Sequence, residues 1–409
     1  MTAPMTAPMT AQMTAQMTAR MPAVLKTLAD LIQINSVNPN YQSGVPEADV
    51  VDYIETFFQQ RSIKTCRQPV EPHRDNLIAS VPGRDHHRKM IFEAHMDTVS
   101  VDGMTIPPFE PVVREGRMYG RGACDTKSGL AGMMHALADV AESSVSPPCD
   151  LWFVATVDEE FAYRGVAEFC RELAAETCAV AVVAEPTELQ PVVASKGLIR
   201  WIIETTGKAA HSAKPHLGVN AITSMVQVLQ ALEHDNLGLS TRSHPLLGNA
   251  TCNVGVIRGG VQVNLVPATC QVEVDRRLLP GETSELVFQH YQSVLDEVMR
   301  KHPQVQAIMH PPMLTDLPLE TCVECPPVQA MLQVLSDLGC RREPAGMPFG
   351  SDASKFGALG IPSLIFGPGS IDQAHTASEF VDCQQVLTSH QVYRSYMLSE
   401  GVLGAGVIS

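Results

Sequence analysis

The sequence predicts an α/β protein with a mostly parallel sheet and a second, α+β domain inserted into the chain. Over most of the first 190 residues, short and almost entirely apolar strands alternate with amphipathic helices. This alternation is typical of a parallel sheet covered by helices on both faces. Between about residues 198 and 309 the strands instead alternate apolar and polar side chains, as half-exposed strands do. The first pattern returns after residue 310, so the first domain is predicted to be discontinuous.

Composition limits the classes of function. A chain of 409 residues is expected to hold about two or three domains. Its 45% hydrophobic and 18% charged residues are ordinary for a soluble globular enzyme. The formal net charge of -15 argues against a nucleic-acid partner, which requires a basic surface, and it fits acidic clusters that bind cations. No apolar run has the length of a membrane span.

The cysteines and the N-terminus give two further expectations. The 11 Cys are scattered and odd in number, so reduced thiols in the cytoplasm are the simplest interpretation. The first 24 residues repeat a four-residue unit, mostly Met-Thr-Ala followed by Pro or Gln. They have neither the basic start nor the apolar stretch of a secretory signal. We interpret residues 1–21 as a disordered tail, or as several candidate start codons before a domain that begins near Met21.

The elements of the first domain follow from their periodicity. Apolar residues at helical spacing predict helices over residues 22–34, 45–62, 129–140 and 167–175. Apolar runs predict neighbouring strands over residues 76–81 and 90–94, and further strands over 151–157 and 179–184. Late in the chain, the same signals predict a helix over residues 327–338, a short helix after Gly350, a strand over 363–366 and a helix from near Cys383.

The middle of the chain has a different character. It contains half-exposed strands over residues 199–206 and 269–276, and two long helical segments over 220–232 and 284–300. We therefore predict a first domain formed by residues 22–197 and 310–409, with an inserted domain formed by residues 198–309.

Polar side chains at the ends of the apolar strands mark the candidate site. The strand over residues 90–94 runs into His95 and Asp97, which share one face because side chains alternate along a strand. This arrangement suits a histidine that binds a metal through one ring nitrogen and donates the N–H of the other to a carboxylate, which orients the ring. Ligands of parallel sheets bind beyond the carboxyl ends of the strands, where Asp125, Glu160 and Glu185 are also expected.

The donor set predicts a centre for two divalent cations. It consists of two imidazoles and three carboxylates: His95, Asp125, Glu160, Glu185 and His375. So much like charge in one cleft is costly unless cations lie among the carboxylates. We assign Asp125 as a bridge between two ions, with His95 and Glu185 on one ion and Glu160 and His375 on the other. Carboxylate and imidazole ligands without thiolate suit zinc, which is the first expectation, or cobalt or manganese.

Glu159 is the candidate general base. It precedes Glu160 at a strand end, so the two side chains should diverge. One can then bind a cation while the other faces the attacking water, and we assign the proton transfer to Glu159. An isolated Glu-Glu pair would be interpreted as a solvated strand end, but this pair directly follows an apolar strand in a chain with four other matched donors.

These residues resemble the M20 family of metallopeptidases, which includes acetylornithine deacetylase, succinyl-diaminopimelate desuccinylase, glutamate carboxypeptidase and aminoacylase. The resemblance covers nearly everything after residue 22. It rests on His95-Met-Asp97, Gly-Arg-Gly-Ala-Cys-Asp125, Asp-Glu159-Glu160, Glu185-Pro-Thr, Gly-Lys-Ala-Ala-His211-Ser, Asp275-Arg-Arg277-Leu-Leu-Pro280 and Ala-His375, in that order. It implies a di-metal catalytic domain with an inserted lid and dimerisation domain, and hence a homodimer.

The resemblance also implies roles for residues of the insert. His211 matches the family histidine that reaches over the site, often from the other subunit, and polarises the scissile carbonyl or holds its oxyanion. Asn264 and Arg277 match lid positions that contact substrate. A guanidinium can bind a carboxylate through two parallel hydrogen bonds, as recognition of an N-acyl amino acid requires.

Two motifs bear on the substrate. Gly350-Ser351-Asp352 resembles the substrate-pocket loop and could supply backbone donors near a helix start, although Asp352 could equally be a helix cap. Phe366-Gly-Pro-Gly-Ser-Ile-Asp-Gln-Ala-His375 looks most like the acetylornithine deacetylase branch. The Ser351-Asp352 pair departs from the Thr-Glu pair usual in that branch, which leaves the acyl group and the amino acid open.

The leading hypothesis is therefore a di-metal amidohydrolase that removes an acyl group from an N-acyl-L-amino acid in the manner of acetylornithine deacetylase. The alternatives on the same scaffold are a dipeptidase or carboxypeptidase, which would take a dipeptide or longer peptide, and a succinyl-diaminopimelate desuccinylase. A non-catalytic binding protein ranks last, because it predicts loss of a ligand or of the base and all six positions are present.

Overall fold

The computed structural model describes residues 21–173 and 178–404, so the tail predicted over residues 1–21 lies, except for Met21, outside the described residues. The helices of the described residues are α1 (Ala23–Gln33), α2 (Ala48–Gln59), α3 (Lys127–Glu142), α4 (Arg164–Leu173), α5 (Ala221–Asn236), α6 (Ser284–Lys301), α7 (Pro326–Asp337), α8 (Ala353–Ala358) and α9 (Cys383–Met397).

The strands of the described residues alternate with these helices. They are β1 (Lys64–Glu71), β2 (Arg74–Val81), β3 (Asp85–His95), β4 (Val112–Arg114), β5 (Arg117–Tyr119), β6 (Cys149–Thr156), β7 (Cys178–Val183), β8 (Val192–Ser195), β9 (Gly197–Thr206), β10 (Ser243–His244), β11 (Gly248–Asn249), β12 (Thr251–Gly259), β13 (Thr269–Leu278), β14 (Gln306–Met309), β15 (Leu314–Asp316), β16 (Leu319–Glu320), β17 (Ala345–Met347), β18 (Ser363–Ile365) and β19 (Phe380–Asp382).

The chain divides into two compact units. Unit 1 comprises the described residues up to Pro191, Glu324–Glu343, and the described residues from Leu364 onwards; unit 2 comprises Val192–Val323 and Pro344–Ser363. The insert predicted over residues 198–309 lies within unit 2. Unit 2 also includes residues that the sequence analysis assigned to the first domain, in part because β15 continues the antiparallel pairing with β9.

Unit 1 is built on a sheet with the order β1-β2-β6-β3-β7-β18. Strand β3 runs parallel to both β6 and β7, whereas β2 runs antiparallel to β6 and to β1. The prediction of a mostly parallel α/β sheet is confirmed. Helix α3 packs against α1 and α9, and it is buried along nearly its whole length, as expected for a helix with apolar residues on all sides.

One detail of the sheet differs from the prediction. Strands β2 and β3 were expected to be neighbours, but β6 lies between them. The turn between β2 and β3 makes room for β6 because Gly83 has no side chain. A Cβ on Gly83 would lie 2.1 Å from the carbonyl oxygen of Cys149, the first residue of β6. Asp150 also accepts a hydrogen bond from the Gly83 backbone N–H at 2.8 Å.

Unit 2 has the α+β character predicted for the insert. Strands β12, β13, β9 and β14 form an antiparallel sheet in that order, with β12 at one end. Helices α5 and α6 pack against this sheet and bury a core that includes Trp201 and Tyr291. In the same unit, β8 pairs antiparallel with β16 and parallel with β17. None of the described helices combines the length and the apolar character needed to cross a membrane.

Candidate metal centre

The carboxyl ends of three adjacent parallel strands bring the predicted donors of unit 1 together. His95 is the last residue of β3 and lies opposite Thr156, the last residue of β6. Glu159 and Glu160 follow β6 after two further residues, and Glu185 follows β7. Because these strands end at the same edge of the sheet, side chains that are far apart in sequence share one cleft.

Asp125 lies between the two imidazoles. Its Oδ1 is 3.2 Å from Nε2 of His95, and its Oδ2 is 3.3 Å from Nε2 of His375. His375 Nε2 also lies 3.2 Å from Glu160 Oε1. Asp125 precedes α3 by two residues, as its predicted position near a helix start requires. One carboxylate with an imidazole on each oxygen is the arrangement expected of a ligand that bridges two cations.

Two sets of donor atoms in the centre fit a divalent cation. His95, Glu159 and Glu185 form one set, and His95, Asp125 and Glu160 form the other; within each set the atoms lie within 4.8 Å of one another. Their chemistry, imidazole nitrogen with carboxylate oxygen, matches ions such as zinc. The structure therefore places all five predicted ligands and Glu159 in one cluster, in which Glu159 itself belongs to the donor set that contains Glu185.

The electrostatics of the cluster indicate a shortage of positive charge. Burial and the charge of Asp125 raise the pKa of Glu185 well above its usual range, and the same two causes raise the pKa of Glu160. Hydrogen bonds to Asp125 and Glu160 raise the pKa of His375 to about 10. Burial opposes protonation of His95, but its contacts with Asp125 and Asp97 outweigh burial and raise its pKa well above the usual range. Cations bound among these carboxylates would supply the missing charge.

Asp97 holds the loop that follows β6 and carries Glu159 and Glu160. Its buried carboxylate accepts hydrogen bonds from Asn38 Nδ2 at 2.7 Å and from the backbone N–H groups of Glu159 at 3.1 Å and Glu160 at 3.2 Å. Sequence analysis assigned Asp97 to the orientation of His95. His95 Nδ1 lies 2.9 Å from the main-chain oxygen of Asp97 and 3.6 Å from its carboxylate. Asp97 therefore contacts both the candidate ligand His95 and the segment that carries the candidate base.

A buried ion cluster, which the sequence did not predict, supports the same loop after β6. Asp158 adopts a left-handed conformation with φ 68°, which is unfavourable for a residue with a side chain. Its carboxylate is fixed by Asn38 Nδ2 at 2.9 Å, Arg74 Nη1 at 3.0 Å and Arg164 Nη1 at 3.1 Å. Arg74 in turn binds both oxygens of the fully buried Glu47. These residues lie on separate segments without shared periodicity, so no sequence pattern pointed to them.

Glu379 is another buried residue that sequence analysis did not identify. It lies four residues after His375 and is 0% exposed. Its carboxylate accepts hydrogen bonds from Arg121 Nη1 and from three backbone N–H groups of the turn that carries Asp125. A Glu shortly after the candidate ligand His375 was the only signal in the sequence, and a single residue of that type is uninformative by itself.

The substrate-binding residues predicted from the insert lie in unit 2. His211 and Asn264 are held side by side by backbone pairing. His211 forms an isolated antiparallel β-bridge with Leu265, and the Asn264 carbonyl oxygen accepts a hydrogen bond from the Ser212 N–H at 3.0 Å. Both side chains are exposed. Arg277 lies on β13, where its Nε donates to Asp275 at 2.8 Å.

The Gly350-Ser351 loop precedes α8, with Asp352 at the N-cap position. Ser351 is buried, and its carbonyl oxygen accepts from Ser354 Oγ at 3.0 Å. Within unit 2 the structure thus joins His211 to Asn264 and places Gly350 and Ser351 directly before a helix.

Comparison with known proteins gives one family. Residues 91–399 match the family described as peptidase family M20/M25/M40. An acetylornithine deacetylase of Myxococcus xanthus is 30% identical over 381 residues, which cover 91% of this chain and 96% of that protein.

Solved structures share the fold at lower identity. An aminopeptidase PepT from Bacillus cereus superimposes with a TM-score of 0.76 at 21% identity and covers 93% of this chain and 98% of that one. The Bacillus subtilis YXEP protein, described as a dinuclear metal binding peptidase from the M20 family, gives a TM-score of 0.70 at 16% identity, with coverage of 94% of this chain and 98% of that one.

Proposed function

Because this chain belongs to peptidase family M20/M25/M40 and is a metal-dependent hydrolase, we propose that it removes the acyl group from an N-acyl-L-amino acid at a di-metal centre. The observation that carries the proposal is the carboxylate of Asp125 between His95 and His375, with Glu160 and Glu185 buried beside it. The relatives named acetylornithine deacetylase support the acyl amino acid as substrate class.

The ligand assignment divides the donors between two ions. We assign His95 and Glu185 to one ion, Glu160 and His375 to the other, and Asp125 to both, with zinc as the first expectation and cobalt or manganese as alternatives. When bound, such ions lower the pKa of a water molecule and polarise the scissile carbonyl. The raised pKa of Glu185 and Glu160 supports the assignment, since both carboxylates need nearby positive charge to stay ionised.

Glu159 is assigned as general base. Its backbone N–H is held by Asp97 at 3.1 Å, which fixes the origin of its side chain at the edge of the cluster. Glu159 takes a proton from the attacking water as the oxygen bonds to the carbonyl carbon. It then passes that proton to the nitrogen as the C–N bond breaks, so that a carboxylate and an amine leave. The proximity of Glu159 to His95 and Glu185 also allows a ligand role, which the metal content of a variant distinguishes.

The insert supplies the remaining roles. We assign residues 198–309 as a substrate lid, in which Arg277 binds the substrate carboxylate and His211 donates to the carbonyl oxygen that becomes negative during attack. Asn264 lies beside His211 and is assigned to substrate contact. Gly350 and Ser351 are assigned to the substrate pocket, where backbone N–H groups before α8 can donate.

We further propose a homodimer that forms through unit 2. Strand β12 lies at the end of its sheet, and Ile257 on this strand is 54% exposed while Ile222 and Val226 on α5 are 38% and 42% exposed. An edge strand with apolar neighbours is a ready surface for pairing. Sedimentation analysis tests this, with Ile257→Lys expected to give monomers; a wild-type monomer at micromolar concentration would exclude it.

A cytoplasmic location is proposed from buried free thiols such as Cys124, Cys149 and Cys270.

The decisive experiment is a substrate panel run on metal-stripped protein before and after zinc or cobalt is restored. The panel holds N-acetylornithine, other N-acetyl-L-amino acids, N-succinyl-diaminopimelate and several dipeptides. We expect restored protein to release acetate from at least one N-acetyl-L-amino acid faster than it cleaves any dipeptide. Rapid dipeptide cleavage without deacylation would instead identify a dipeptidase, and preference for the succinyl substrate would identify a desuccinylase. Protein that has two ions bound but hydrolyses none of these substrates would contradict the deacylase proposal.

A further inference from the structure

We propose that Glu379 is a positioning residue that holds the bridging carboxylate of Asp125 in place and thereby sets the metal affinity of the centre. The inference rests on the proposed di-metal function and extends it to a residue outside the ligand set. Glu379 is fully buried and directly precedes β19, which pairs with β5.

Each carboxylate oxygen of Glu379 accepts two hydrogen bonds. Oε1 accepts from the backbone N–H groups of Cys124 at 2.8 Å and Asp125 at 3.0 Å. Oε2 accepts from the backbone N–H of Gly122 at 3.0 Å and from Arg121 Nη1 at 2.7 Å. Four donors on two oxygens require a side chain that only accepts, which an ionised carboxylate provides.

The donors belong to the turn that carries the bridging ligand. Residues 120–126 form a turn between β5 and α3, where backbone N–H groups have no strand partner to bond. Buried N–H groups need partners, and Glu379 supplies one for three of them. The bond to Asp125 N–H acts directly on the residue whose carboxylate has to lie between His95 and His375.

The same residue links two metal-binding segments. Its backbone oxygen accepts from Gly120 N–H at 3.1 Å, so the start of the turn is tied to the strand that follows His375. A shift of either segment would move one end of the Asp125–His375 pair, which lies at 3.3 Å. Because the geometry of a ligand cluster depends on such supporting contacts, their loss typically lowers metal affinity about 10–100-fold.

Glu379→Gln isolates this effect with little change of volume. The amide replaces one acceptor oxygen by an NH₂ group, which then faces two donors and can accept from neither. Glu379→Asp keeps the charge but is one methylene shorter, so part of the network can re-form. Glu282→Gln in unit 2 is a matched control, because Glu282 also accepts from an arginine, Arg276, and from a backbone N–H, that of Leu279, both at 2.8 Å.

The test titrates the full-length apoprotein with Zn²⁺ by calorimetry and records the visible spectrum after loading with Co²⁺. Wild type should bind two ions. Glu379→Gln should bind at least one ion about 10–100-fold more weakly and show a changed cobalt spectrum, with Glu379→Asp between the two. Glu282→Gln should match wild type in both readouts, even if its thermal stability falls.

The outcomes separate this inference from the proposed function. Two ions bound by Glu379→Gln with wild-type affinity and spectrum would overturn the positioning role. If Glu379→Gln does not fold, the Glu379→Asp protein decides the question by the same readouts. A wild-type apoprotein that binds no ion would instead overturn the di-metal function itself.

Discussion

Replacement of Arg74 by Met should destabilise unit 1 by removing the cation of a buried ion cluster. The guanidinium is 4% exposed and lies 2.6 Å from Glu47 Oε1 and 3.0 Å from Asp158 Oδ1, and both of these carboxylates are 0% exposed. A third contact, to Glu71 at 2.9 Å, involves a side chain that is 34% exposed. Methionine has a similar volume, a shorter side chain and no charge, so the substitution removes the pairing while it fills most of the space.

The magnitude follows from what each carboxylate retains. Asp158 keeps Arg164 at 3.1 Å and Asn38 at 2.9 Å, and solvent screens the contact with Glu71. Glu47 loses both hydrogen bonds from Arg74 and becomes the main source of the loss. Removing one partner of a buried pair costs about 3–5 kcal/mol, so we expect the free energy of unfolding of unit 1 to fall by that amount near pH 8.

The loss should depend on pH. Burial already raises the pKa of Glu47, and without Arg74 the folded-state pKa rises further above the unfolded value of about 4.3. A carboxylate with a raised folded-state pKa binds its proton more tightly in the folded state, so stability falls as the pH rises above the unfolded value. The loss of unfolding free energy caused by Arg74→Met should therefore be larger at pH 8 than at pH 5.

Urea denaturation of the apoprotein measures this effect. A Trp201→Phe background leaves Trp152 on β6 as the fluorescence reporter of unit 1, since the chain holds 2 Trp. Adding Glu47→Gln to Arg74→Met should recover more than half of the loss, because the uncompensated charge is gone. A loss of unfolding free energy under about 1 kcal/mol at pH 8, or a loss at pH 5 equal to that at pH 8, would refute the reasoning.

Three further predictions concern the centre and the stability of unit 1. Glu159→Ala should lower turnover by about 10²–10⁴-fold while the metal content measured by mass spectrometry stays unchanged, because a base has been removed and not a ligand. Removing the cations with a chelator should abolish turnover and lower the melting temperature, since Glu160 and Glu185 then lose the charge that balances them. His135 is buried against Thr27, and burial lowers its pKa to about 4. Its unfolded state therefore binds more protons, and about 3 kcal/mol of stability should be lost as the pH falls from about 6.5 to 4.

Each of these has a matched comparison. Loss of an ion from Glu159→Ala would show that Glu159 is a ligand, and near wild-type turnover would remove it from the base role. Unchanged turnover in chelated protein would contradict a metal-dependent reaction. The pH dependence of unfolding should be weaker in His135→Gln than in wild type, and an identical slope would assign the acid sensitivity to other groups.

The parts of the fold that the sequence predicted are those with a strong local signal. The apolar faces of α1 and α2 predicted both helices to within three residues at each end. The apolar runs that became β3, β6 and β7 predicted buried parallel strands, and the polar residues at their ends predicted where a cluster would form. Strand β1, an edge strand in which only Gln68 is buried, has no such signal and was missed.

The supporting residues could not be predicted for a different reason. Asn38, Arg74 and Glu379 act through contacts with segments far away in the chain, and a single Asn, Arg or Glu outside a periodic pattern carries no information on its partner. The position of β6 between β2 and β3 likewise depends on a close approach at Gly83, which is a tertiary contact. Local patterns thus located the candidate ligands, whereas the groups that hold them in place require the folded structure.

The hydrogen bond between Asp125 N–H and Glu379 spans 254 residues, which has a consequence for biosynthesis. At a translation rate of roughly 5–20 residues per second, the ribosome needs roughly 13–50 s to travel from the first residue to the second. For most of that interval, from Glu185 onwards, the nascent chain carries the acidic strand ends of unit 1 without the C-terminal segment that completes their surroundings. We therefore expect the proposed centre to mature only after translation has nearly finished, and any product terminated before Glu379 should lack it.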